Sequence, residues 1–474
     1  MPTDIDYALD GMQTGNGCRY SSYNRRMRLA IRLALTTAAA AVLSCVVSTS
    51  LAADGIDAKV DSALRNELLN KLAVALETKY VIPETATKLA SLVRAKQKAN
   101  AYKAITSPMG LAQALTDDMF SVAHDKHLRV YVSFSPPPAG PESGPSPEQL
   151  AQVRKENGAI SRLEILDGNV GYMRVNGVPW IDGARPAIAA AFAFLHNSDA
   201  LIIDNRTNGG GDPHTAALYV SYLSEGEPFV TGSFHYREGN RVQDFRTTKL
   251  GDLSYGASKP VFVLTSSWTF SGGEGVAYDL QAQKRAVIVG ETTAGGATSP
   301  QRLSLGHQFM LAVPVARGVN PITGTSWEGV GVKPDVPVDA PRALNKAHTL
   351  AIEQLRASAP DDWARSNLDS ILMKLQTIEE AESGKAVRLR NAAVLGAYVP
   401  AIGTGTTVVV LEKDGQLVRH IDGLPDRVLM HLGGNRYGQE GLPSGFTLSF
   451  RAGAGKMELL MEEPNRSSVI RVRR

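Results

Sequence analysis

The chain has 474 residues, 43% hydrophobic and 20% charged, and its 50 Lys and Arg barely exceed its 47 Asp and Glu. That length admits two or three domains with a sizeable core, and the near-neutral balance gives no electrostatic basis for binding nucleic acid or anionic lipid. Residues 1–53 hold five Arg and three Asp, so the remainder, 45 basic against 44 acidic, is closer still to neutrality.

Arg25, Arg26, Arg28 and Arg32 precede an Ala-rich apolar run that ends VVSTSLAAD, with small residues suited to cleavage after Ala52 or Ala53. The run is too short, and its side chains too small, for a permanent membrane span. Residues 1–53 are therefore expected to be an N-terminal extension with an export signal, which predicts a periplasmic or secreted protein. Cys18 and Cys45 are the only cysteines and both precede the cleavage point. The mature chain would then have no disulfide, redox or thiolate chemistry. Val42-Leu43-Ser44-Cys45 departs from a lipoprotein box at Leu43, so anchoring through Cys45 is not expected.

Residues 54–134 read as a helical N-terminal domain. Leu68, Leu69, Leu72, Val74 and Leu76 recur at helical spacing, Pro83 and Pro108 punctuate the segments, and LRVYVSF after His127 alternates like a strand. Residues 135–160, rich in Pro, Gly and Ser, predict a linker or exposed loop. Over 161–360 strand and helix patterns alternate: GNVGYMRV, a helix over 184–197, ALIID, a helix over 213–223, and a strand near HQFMLAVPV. That alternation predicts an α/β core. After a helix over 343–357, residues 361–393 read as a charged helical linker. Residues 394–474 alternate in short runs with Gly and Asp-Gly turns, which predicts a separate small β domain.

The chemistry is expected between Lys259 and Thr298. Val261–Thr265 is a buried-strand pattern, Ser271-Gly-Gly-Glu274 follows, and Val276–Gln283 returns to helical spacing. A strand, a sharp glycine-flanked turn with a serine, and then a helix can present one nucleophilic hydroxyl, with free N–H groups at the helix start for an oxyanion. The same Ser-x-x-Glu is also an ordinary capping box. Two glycines in a first helical turn are costly for capping alone and make sense where another backbone approaches closely. From the residues, both readings stand.

TSSWTFSGGE…KRAVIVGETTAGG, together with LIIDNRTNGGG at 201–211, resembles the core of the carboxyl-terminal processing (tail-specific) peptidases, a family related to the tricorn protease core and interphotoreceptor retinoid-binding protein. The resemblance covers Ala200 to Pro337 and extends more loosely back to about residue 60. It implies a ClpP/crotonase-like β-β-α spiral core behind an N-terminal helical bundle, and a serine-type peptidase acting on peptides or unfolded proteins without a cofactor or metal. It also implies Ser271 as nucleophile. The lysine base of the family would fall 25 residues later, where this chain has Gly296, and no lysine lies between Lys284 and Lys333. A Ser-Lys dyad is thus not expected. The tricorn-like branch implies instead His127 as base and Glu328, in Trp327-Glu328-Gly-Val-Gly, as the group that orients it, although Lys126 stands where that branch has a further serine. Gly272 and Gly210 are the expected oxyanion donors, while Asp204 and Arg206 read as structural. Only about 40 residues separate His127 from GNVGYMRV, too few for the family's usual PDZ domain. Two alternatives belong to other classes: a non-catalytic carrier of an apolar ligand on the same fold, and an ester hydrolase.

Overall fold

The computed structural model describes residues 59–133, 144–382, 389–402, 405–442, 445–453, 455–462 and 469–474. The export-signal reading with Cys18 and Cys45, and the most proline-rich part of the expected linker, lie outside the described residues. Three helices come first: α1 (Ser62–Lys79), α2 (Pro83–Lys98) and α3 (Pro108–Ala123). Each start follows from its cap. Asp61 accepts the N–H of Leu64 at 2.8 Å, Ser107 accepts that of Gly110 at 3.2 Å, and Pro83 opens α2 where no N–H is needed. Leu68, Leu69, Leu72 and Leu76 of α1 are buried. Val74 is 56% exposed, because two residues beyond Leu72 is about 200° around a helix, on the opposite face.

The helices pack on a five-stranded antiparallel sheet in which β1 (Arg129–Val132) pairs with β10 (Phe309–Val319). Within the stretch expected as a linker, Pro147–Lys155 form a helix, α4, because Ser146 and Gln149 close a reciprocal capping box. The second sheet has six strands in the order β11-β8-β7-β4-β3-β2. Its members are β2 (Ile160–Leu166), β3 (Val170–Val175), β4 (Ala200–Asp204), β7 (Val261–Thr265), β8 (Val287–Gly290) and β11 (Val336–Pro337). From β3 to β11 neighbouring strands are parallel. Every residue of β4 and β7 is buried, as expected for strands covered on both faces. One face carries α5 (Ile181–Leu195), α6 (Pro213–Tyr222) and α7 (Gly272–Ala282). The other carries α8 (Ala343–Ala357) and α9 (Asp362–Glu382).

Three strands of the antiparallel sheet were not legible in the sequence: β5 (Val230–Tyr236), β6 (Val242–Arg246) and β9 (Thr298–Gly306). Their residues are partly exposed and mixed in polarity, so they are held as strands by pairing, β5 and β9 with β10 and β6 with β5, rather than by an apolar run. Residues 396–473 close into an eight-stranded barrel, β12 to β19. Val394, Tyr398, Val408, Tyr437, Phe450 and Leu459 are among the residues that fill it. Among the described residues, no helix is long and apolar enough to cross a membrane.

Candidate active site

In the register of β4 against β7, Asp204 faces Leu264, so the two parallel strands end side by side. The loops that leave their carboxyl ends, 205–212 and 266–271, meet there, the position at which parallel sheets build sites. Phe270 N donates to Asn208 O at 3.0 Å, Thr269 Oγ1 to Asn205 O at 2.9 Å, and Asn205 Nδ2 to Gly273 O at 3.2 Å. A Cβ on Gly273 would lie 2.7 Å from the Asn208 side chain. The second glycine of the turn is therefore required by loop-on-loop packing.

Ser271 precedes α7 with φ 52 and ψ −123, a left-handed conformation that costs a non-glycine residue on the order of 1–3 kcal/mol. It is held there by Glu274. That fully buried carboxylate accepts Ser271 N at 2.8 Å and Gly296 N at 2.8 Å. Its other oxygen accepts Gly295 N at 2.6 Å and the Thr293 hydroxyl at 2.5 Å. The acidic half of the capping box thus ties the serine turn to the 293–296 loop.

His127 Nε2 lies 3.1 Å from Ser271 Oγ, across 144 residues of sequence. Its Nδ1 lies 3.1 Å from Thr298 Oγ1, and that hydroxyl reaches both carboxylate oxygens of Asp125, at 3.2 and 3.3 Å. One hydroxyl proton cannot serve two directions. With it donated to the Asp125 carboxylate, Thr298 accepts from Nδ1–H, and Nε2 keeps its lone pair towards the serine. Asp125 also accepts His127 N at 2.9 Å and the Tyr80 hydroxyl at 3.3 Å. The phenyl ring of Phe270 lies 4.5 Å from the imidazole. Burial, with a smaller contribution from the Arg129 charge, pushes the His127 pKa down to about 4.

Glu328 stands beside this chain of contacts but is not hydrogen-bonded to His127. Its Oε2 accepts Ala297 N at 2.5 Å and Thr298 N at 3.1 Å, so it fixes the backbone that carries Thr298. Burial and then the charge of Asp125 push its carboxyl up to about 7. Burial also raises Asp125.

Gly210, expected as an oxyanion donor, spends its N–H on Asn208 Oδ1 at 2.9 Å. Gly211 and Gly272 line the cleft in front of Ser271, and Gly211 N lies 3.1 Å from where a Cβ of Gly272 would stand. Gly272 is the first residue of α7, where an N–H has no partner within the helix. At Gly296 a Cβ would come within 2.9 Å of His127 Cε1 and 2.2 Å of the Phe270 ring. The two rings fill the space that a lysine at 296 would need.

His124 is the left-handed C-cap of α3, φ 52, edge-on to Phe120. Lys126 is tied through Nζ to Ala294 O at 2.5 Å. Arg206 grips Asp204 through two nitrogens, at 2.8 and 2.7 Å, away from the cleft-lining residues. Asp125 and Thr298 escaped sequence reasoning. Asp125 had a usable signal, because an Asp two residues before a backbone N–H readily forms an Asx-turn; Thr298 had none.

Residues 169–338 match the model of peptidase family S41, and residues 59–162 match the N-terminal domain of peptidase S41 in eukaryotic IRBP. A carboxy-terminal-processing protease of Bartonella bacilliformis is 31% identical over 183 residues, 37% of this chain and 40% of that protein. The chloroplastic carboxyl-terminal-processing peptidase 2 of Arabidopsis thaliana is 30% identical over 208 residues, 41% of this chain and 39% of that protein. The chain thus spans about two fifths of the length of these curated relatives. Among solved structures, the photosystem II D1 C-terminal processing protease aligns with a TM-score of 0.37 at 18% identity, covering 59% of this chain and 94% of that one.

Proposed function

We propose that this chain, which belongs to peptidase family S41, is a serine peptidase that hydrolyses peptides or unfolded protein segments through Ser271 and His127, without a Ser-Lys dyad. The observation that carries the reading is the 3.1 Å contact between His127 Nε2 and Ser271 Oγ, which joins a base and a nucleophile at the mouth of a cleft. Ser271 Oγ attacks the scissile carbonyl while Nε2 takes its proton, and His127 then returns that proton to the leaving amine; a water deprotonated by Nε2 next displaces the acyl group from Ser271, whose Oγ takes the proton back. The Nδ1–H donates to Thr298, whose hydroxyl is held by Asp125, so Nδ1 stays protonated throughout and Nε2 is the nitrogen that takes and returns the proton. The N–H groups of Gly272 and Gly211 receive the oxyanion. Glu328 acts one step further out, by holding the backbone of Thr298.

The protein works outside the cytoplasm, on the strength of the Arg-rich, Ala-rich start, and it has no PDZ module between β1 and β2. Its substrates are selected by the cleft itself. Labelling with a fluorophosphonate probe, followed by peptide mapping, is expected to modify Ser271. Unfolded casein should be degraded by the wild type and left intact by a folded Ser271→Ala protein. Undiminished hydrolysis by Ser271→Ala would refute the assignment. Covalent labelling would also distinguish the enzyme from a silent carrier of an apolar ligand, in which the serine would stay unmodified.

A further inference from the structure

The cleft in front of Ser271 has a volume of about 570 Å³, counted out to open solvent. Its walls are apolar, with Pro213, Ala216, Phe234, Phe245, Val319 and Trp327 among them. Ser271, Gly272, Gly275 and Asp279 also line it, and the spacing of four between Ser271, Gly275 and Asp279 puts them on one face of the nucleophile helix. Asp279 is only 7% exposed. One carboxylate oxygen accepts Asn320 Nδ2 at 2.9 Å. Among the described residues, no Lys, Arg or His forms an ion pair with it. Burial raises its pKa to about 7, opposed only by the Asn320 hydrogen bond. Buried carboxylates in folded proteins are normally paired. This one lines an open, apolar-walled cleft that Ser271 also lines, and none of the described residues supplies a cation to it.

We infer that Asp279 determines specificity: the cleft receives the substrate side chain next to the scissile bond, and it prefers a lysine or arginine there. The dimensions agree. Eight residues of helix separate Ser271 from Asp279 by about 12 Å along the axis, and helical side chains lean back towards the N-terminus, here towards Ser271. The span left over suits a long side chain, whose aliphatic stem lies along the phenyl and indole walls while its cationic head pairs with the carboxylate. Leucine would fill the walls but leave Asp279 unpaired; alanine would do neither.

The inference rests on Ser271 being the nucleophile of a peptidase, and the test separates the two. Internally quenched peptides that differ only in carrying Lys, Arg, Leu or Ala before the cleaved bond would be compared, with cleavage sites verified by mass spectrometry. Wild-type kcat/KM is expected to be at least tenfold higher for Lys and Arg than for Leu. Asp279→Asn retains an acceptor for Asn320 and removes the charge. It should lose that preference, tenfold or more on Lys, mainly in KM, while the Leu peptide is cleaved no more slowly than by the wild type and fluorophosphonate labelling of Ser271 persists. Cleavage of Leu or Ala peptides at least as fast as Lys, with Asp279→Asn neutral, would overturn the inference and leave the peptidase reading intact. Absence of both cleavage and labelling in the wild type would overturn the two together.

Discussion

The C-terminal barrel and the cleft in front of Ser271 both bury polar side chains, and they satisfy them by opposite routes. In the barrel some partners are neighbours on adjacent strands, beside others from α9, where Lys374 pairs with Glu462 at 2.9 Å and Gln376 accepts from Arg451 at 2.6 Å. Thr447 faces Glu462 in register and donates to it at 2.5 Å, and Arg451 faces Glu458 and donates to it at 2.9 Å. Those pairs are 15 and 7 residues apart in sequence and follow from hairpin geometry alone. In the cleft, Ser271 and His127 are 144 residues apart, and Thr298 and Asp125 are 173 apart. There the orienting groups are themselves fixed by backbone N–H donors, as Glu274 and Glu328 are. Local pairing stabilises a module. Long-range pairing fixes one geometry among elements that have no other reason to meet, and catalysis depends on that geometry.

Substitutions that break the long-range set should cost rate, and those in the barrel should cost only stability. The largest effect is expected from His127→Ala, with kcat/KM falling about 10⁶-fold, comparable to loss of the base in other serine peptidases. In the wild type the ascending limb of the pH profile reports His127, since only neutral imidazole can accept the serine proton. Because burial holds that group near 4, and Thr298 rather than a carboxylate meets its Nδ1, the midpoint should lie below the ~6.5 of a free imidazole. Activity should therefore be lost only as pH falls well into the acid range; a midpoint above 7 would contradict the relay through Thr298.

Thr298→Val removes the acceptor for Nδ1–H at constant shape. A loss of roughly 10²- to 10³-fold in kcat is expected, less than the ~10⁴-fold seen when an orienting carboxylate is disabled in a Ser-His-Asp triad. Thr298→Ser should restore most of it. A Thr298→Val enzyme at the wild-type rate, with the loss falling on Thr298→Ser instead, would mean that Thr298 only packs. Glu328→Gln keeps an acceptor for Ala297 and Thr298 N–H, so steady-state kinetics should change by less than about tenfold, the loss of one weak backbone hydrogen bond being ~1 kcal/mol. A loss as deep as that of His127→Ala would return Glu328 to the role of direct partner. The smallest effect on activity is expected in the barrel. Leu459→Ala empties a fully buried site and should destabilise by about 2–5 kcal/mol, read by chemical denaturation, with kcat/KM per folded molecule unchanged.

Much of the core was legible before any coordinates. The runs ALIID and VFVLT are buried on both faces, so their apolar continuity was itself the signal, and the turn Ser271-Gly-Gly-Glu274 announced the capping box in which Glu274 accepts Ser271 N. The barrel strands declared themselves by alternation and by Asp-Gly turns. What the sequence could not determine was which atoms would converge. Glu328 and Asp125 are both carboxylates within reach of the imidazole region, and only the packing of β1 against β10, whose neighbour β9 starts at Thr298, decides that a threonine hydroxyl stands between Asp125 and Nδ1. In the same way, which glycine N–H of Asn208–Gly211 remains for an oxyanion depends on where the Asn208 side chain turns. Periodicity and turn chemistry are properties of a few adjacent residues, and the sequence by itself determined those. The direction of a hydrogen bond between groups more than a hundred residues apart is a property of how the elements pack, and only the tertiary structure decided it.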